Sequence, residues 1–62
     1  METYEEVIKR QIDTWFSVLP LAIAYTASIT MINDFAKTKR LDYMAECRLR
    51  SHVENEKMGL FK

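Results

Sequence analysis

Sixty-two residues make one structural unit at most, too few for a catalytic domain with a large core of its own. Nine Lys and Arg side chains against nine Asp and Glu leave no net charge, so the basic surface that duplex phosphates require is missing. One cysteine, Cys47, excludes an internal disulfide, and one glycine near the end excludes a phosphate-cradling glycine-rich loop.

Residues 1–13 read as an amphipathic lead. Thr3 followed by Glu6 fits a capping box, in which the threonine hydroxyl and the glutamate side chain satisfy free backbone N–H groups at a helix start. Tyr4, Val7, Ile8, Ile12 and Trp15 recur at three- and four-residue steps and form an apolar stripe. Glu5 and Lys9, like Glu6 and Arg10, are spaced for i,i+4 pairs on the other side. Such a helix serves equally as a foot on a membrane or partner and as an ordinary soluble helix. The opening Met-Glu-Thr-Tyr-Glu-Glu is acidic, unlike a secretory leader or a mitochondrial transit peptide, so no cleaved segment is expected.

Residues 14–33 carry no side chain charged at neutral pH. As a helix the run would reach roughly 30 Å, the thickness of a bilayer's hydrocarbon core, and it is read as a membrane span. A buried helix in a small soluble oligomer is the alternative. In either case the two short flanking helices can cover only about two thirds of it, so lipid or another chain must meet the rest. Pro20 lacks an N–H and crowds the carbonyl of Phe16; it kinks a span near its start or, in the soluble reading, opens a second helix. Ala22, Thr26 and Thr30 fall four apart, and Ala24 and Ser28 repeat the spacing. Together they read as a small-residue seam for a partner helix.

Trp15 at one end of the run, and Phe35, Lys37, Lys39 and Arg40 at the other, suit membrane-interface anchors. The cationic cluster equally suits a solvated helix end that complements the helix dipole. Residues 34–62 are read as a basic collar and docking tail. Leu41, Met44, Leu49 and Val53 form its apolar line, with Glu46 and Arg50 paired at i,i+4, Gly59 as a left-handed C-cap, and Leu60 and Phe61 as docking side chains. The excess of Lys and Arg between residues 34 and 50 would place the C-terminal side of a span in the cytoplasm or mitochondrial matrix. Cys47 and His52 lie five apart, about 140° around an α-helix, and His52 falls on a polar helix; neither a metal centre nor a catalytic triad is indicated.

The segment Trp15-Phe16-Ser17-Val18-Leu19-Pro20-Leu21, the apolar and small residues after it, then Lys39-Arg40-Leu41-Asp42-Tyr43-Met44 and Arg48, resembles the small single-span accessory subunits of mitochondrial respiratory complex I. The MNLL type is similar in length and in having a short amphipathic lead before a Trp and a Leu-Pro. The MWFE type is similar in its Trp-Phe-x-x-Leu-Pro opening, but lacks this lead. Both types carry glycines after the proline that this chain does not have. The resemblance covers about half the chain and implies a structural role without catalytic residues.

The fold expected from these readings is all-α: an amphipathic N-terminal helix, one transmembrane helix with a proline near its start, and an amphipathic C-terminal helix. The expected function is that of a non-catalytic accessory subunit of an inner-membrane respiratory complex, single-pass, supporting assembly and stability. Its partners would be other membrane subunits and lipid, with no cofactor, nucleic acid or small-molecule substrate. The alternative is a cytoplasmic helical interaction regulator of phage or plasmid type, acting as a dimer. A self-assembling membrane toxin or holin is a third reading.

Overall fold

Helix α1, Tyr4–Val18, starts where the Thr3 hydroxyl accepts a hydrogen bond from the Glu6 N–H at 3.2 Å. It stops where Pro20 forces the preceding residue out of the helical region: Leu19 is extended, with φ −109° and ψ 154°. Two residues later α2, Leu21–Lys37, begins. So short a connection between helices leaves them antiparallel neighbours, and the edge-to-face contact between Tyr4, at the start of α1, and Phe35, near the end of α2, fits this, with ring centroids 5.7 Å apart.

The end of α2 is a Schellman motif without a glycine. Arg40 N–H reaches the carbonyl of Phe35 at 2.9 Å and Lys39 N–H that of Ala36 at 3.1 Å, with Lys39 itself left-handed at φ 64°. The Arg40 guanidinium lies 5.7 Å from the centroid of the Phe35 ring and 5.8 Å from that of Tyr4, taking the place of the apolar contact that usually accompanies the motif. Asp42 then caps α3, Tyr43–Ser51, its carboxylate accepting from the Ala45 N–H at 2.7 Å. The chain continues without a break into a π-helical segment, His52–Lys57, closed by a bond from the Met58 N–H to the Val53 carbonyl at 2.9 Å.

This computed structural model describes residues 2–59, so the expected docking residues Leu60 and Phe61 lie outside the described residues. Glu5 on α1 pairs with Arg48, and Asp13 further along pairs with His52 and Lys57, so α3 and its extension run in the same direction as α1. Ile8 and Ile12 from α1, Ile32 from α2, Leu41 from the link, Ala45 and Leu49 from α3 and Val53 from the π segment form one core. The radius of gyration is 11.1 Å, close to the about 10.6 Å expected of a compact chain of this length.

The expected transmembrane helix is corrected by this arrangement. Among the described residues no helix is long and apolar enough to cross a membrane. The uncharged run is cut in two: Thr14–Val18 finishes α1, and α2 runs on past Asn33 through Asp34 to Lys37. At 17 residues α2 reaches only about 25 Å, against the roughly 30 Å a bilayer core requires. The single-pass inner-membrane placement falls with it. Pro20 breaks the helix because a packed antiparallel pair buries Ile8, Ile12 and Ile32 together, which a straight or gently kinked rod cannot do.

Two local expectations are also revised. Gly59 has no positive φ; the left-handed residue is Lys39, twenty positions earlier. Glu5 reaches Arg48 in place of its helical neighbour Lys9, and Arg10 reaches Glu2 at 2.8 Å in place of Glu6. A bidentate guanidinium on a neighbouring helix outcompetes an exposed lysine one turn away.

Candidate functional site

The five small residues of the central run occupy two lines, not one. Positions two apart on an α-helix differ by about 200°, so Ala24 and Ser28 stand opposite Ala22, Thr26 and Thr30. Ala24 and Ser28 are fully buried together with Ile32 and pack inside the bundle. Ala22, Thr26 and Thr30 are exposed, and Thr26 turns its hydroxyl back onto the Ala22 carbonyl at 3.0 Å. Ile23 and Val18 add apolar area beside them, 55% and 70% exposed. The outer face of α2 is therefore free of charge from its first turn to Thr30, in a chain of which 29% is charged. Such a face, if it meets only water, exposes apolar surface with no compensating interaction.

The residues expected at a membrane boundary sit at two different places. Trp15 is half-buried in the last turn of α1, and Phe35 is half-buried against the core. Lys37, Lys39 and Arg40 are exposed where α2 ends, with Arg40 stacked on Phe35 and Tyr4. Of the tail residues, Leu41, Leu49 and Val53 belong to the core, while Met44 is 60% exposed.

The sequence reading missed an ionic cluster where α1 meets the π segment. His52, expected on a polar face, is only 8% exposed. Its Nε2 lies 2.8 Å from Asp13 Oδ1 and its Nδ1 3.0 Å from Glu56 Oε2, and Lys57 Nζ reaches the same Asp13 oxygen at 2.9 Å. Both ring nitrogens thus face a carboxylate oxygen. Burial pushes the Asp13 carboxyl up, the largest single effect, but hydrogen bonds from Lys57 and His52 with their positive charge bring it below the ordinary aspartate value. No local signal could have brought Asp13 to His52, since the two are 39 residues apart.

Nearer the start of α1, Arg48 donates from Nε and Nη2 to the two oxygens of Glu5 at 2.8 and 2.7 Å. These bonds hold the Glu5 carboxyl below its ordinary value, against a smaller desolvation effect. Arg50 joins Glu46 to Asn33, tying α3 to α2. An open groove of about 390 Å³ runs between α1 and α3, with Lys9, Met44, Cys47 and His52 on its walls. Both nitrogens of His52 face carboxylates, leaving neither free to act on a bound molecule. Among the described residues no group of three or more His, Cys, Asp or Glu is placed to hold a metal ion.

Comparison with protein-family models, with curated proteins and with solved structures returns no match for this chain. The resemblance to complex I accessory subunits thus has no relative to speak for or against it, and among the described residues no helix is long and apolar enough to be the span through which such a subunit would act.

Proposed function

We propose that this chain is a non-catalytic helical interaction module that works as a dimer and docks through the outer face of α2. The observation that supports this reading is the uncharged exposed line of Ala22, Ile23, Thr26 and Thr30, continued at the α1–α2 corner by Val18. Small residues at four-residue spacing let a second helix come close, and the apolar flanks give burial a gain of roughly 25 cal/mol per Å². A standard stable interface takes about 800 Å² from each partner, more than one line on a 17-residue helix offers. The corner residues Val18, Leu19 and Pro20 therefore belong to the docking surface, and the dimer is of the weak, reversible kind.

Sedimentation of the wild type and of Ile23→Lys tests the proposal. The wild type is expected to show a concentration-dependent shift to twice the protomer mass. Ile23→Lys, which places a charge on the face without touching the core, is expected to stay monomeric with unchanged helical circular dichroism. A wild type that sediments as a monomer up to about millimolar concentration, the weak limit of specific association, overturns it.

A further inference from the structure

The π-helical segment stands out because π turns are rare in proteins, and here one closes the bundle next to a shared carboxylate. In an α-helix His52 and Lys57, five apart, would lie about 140° from each other and could not both meet one side chain on α1. The wider π turn, whose hydrogen bonds link residues five apart, brings such residues to nearly the same side of the helix. Asp13 Oδ1 takes both, at 2.8 and 2.9 Å. The same turn seats Met58 against the core and leaves Glu56 exposed. The two observations, one carboxylate oxygen within hydrogen-bond distance of two side chains five residues apart and a hydrogen bond spanning five residues from Met58 to Val53, describe a single geometry.

We propose that the Asp13 carboxylate sets the helical register of the chain's C-terminal segment, holding His52–Lys57 in the π form by gripping His52 and Lys57 together. On its own helix Lys9 and Arg10 precede it by one turn, on the π segment Glu56 faces it only through His52, and α2 has no charged side chain before Asp34. Asp13 is 46% exposed, so a competing cation from solvent or from a partner can reach it. Losing the grip releases Met58 from the core and changes which side chains the end of the bundle presents. The device is independent of the outer face of α2.

Scalar couplings transmitted through backbone hydrogen bonds identify the acceptor of the Met58 N–H directly. The wild type is expected to show coupling to the Val53 carbonyl. In Asp13→Ala, which places a strong helix former on an exposed part of α1, that coupling is expected to vanish while the couplings within α1 and α2 persist. Lys57→Met, which leaves α1 untouched, is expected to do the same. Retention of the Val53 coupling in both variants, or coupling of the wild-type Met58 N–H to Glu54, overturns the proposal. A variant in which α1 and α2 also lose their couplings overturns it as well, since Asp13 would then hold the whole bundle and not the register of one segment.

Discussion

Lys39 at φ 64° occupies a conformation that suits glycine, because a Cβ there crowds the following carbonyl. Its backbone N–H and that of Arg40 nonetheless complete the end of α2, so the position is needed even though the residue is ill suited to it. Lys39→Gly is expected to raise stability by about 0.5 to 1 kcal/mol, read as a higher urea midpoint at unchanged slope. Ser28 is the second strained choice. Its hydroxyl is fully buried with no hydrogen-bond partner, which costs on the order of 1 kcal/mol or more. Ser28→Ala removes that oxygen at little loss of volume and is expected to stabilise the bundle by about 1 kcal/mol in the same measurement. Neither residue announced itself from the sequence. Ser28 was visible as a small residue, but which side of α2 it faced depends on where α1 and α3 pack.

At the scale of elements, two carboxylates whose charge the folded state favours join α1 to α3 and to the π segment. Arg48 holds Glu5 below its ordinary value by direct hydrogen bonds. For Asp13, burial works the other way and is outweighed by Lys57 and His52. A carboxyl with a depressed folded pKa adds stability that is fully present above its unfolded pKa and is lost as pH falls through the folded one. The contribution of these two carboxylates to the urea midpoint is therefore expected to be full above the ordinary carboxylate range and to fall as pH drops below it. Glu5→Gln is expected to lower the midpoint at neutral pH and to shrink the acid drop. Both pairs are partly exposed, so about 0.15 M salt weakens the effect without abolishing it. The capping signal at Thr3 and the i,i+4 pair of Glu46 and Arg50 were legible because they are local. The partners of Glu5 and Asp13, 43 and 39 residues away, were not.

For the whole molecule, one side of α2 is covered and the other is not. Ala24, Ser28 and Ile32 are sealed by α1 and α3, and two helices cannot also reach Ala22, Ile23, Thr26 and Thr30. If that face closes on a second copy, unfolding is linked to dissociation, and the thermal midpoint rises with protein concentration. The rise is expected for the wild type and absent in Ile23→Lys, whose midpoint at low concentration matches the wild type. Differential scanning calorimetry across a range of concentrations separates this from a change in intrinsic stability.

Composition, periodicity and caps alone established an all-helical chain, the stripe of Ile8 and Ile12, a helix start at Thr3 and the lack of any charge along residues 14–33. Each of these is a property of neighbours along the chain, and hydrophobic period and capping chemistry report on such neighbours directly. Whether the uncharged run crossed a membrane or folded back at Pro20 was not among them, because an apolar helix looks the same to lipid and to a protein core. Tertiary packing decided it: the break at Leu19 and Pro20 lets α1 and α2 bury their isoleucines against each other and against Leu49 and Val53. The placement of His52 over Asp13 and the exposure of one line of α2 were settled the same way, by contacts between residues far apart in the chain.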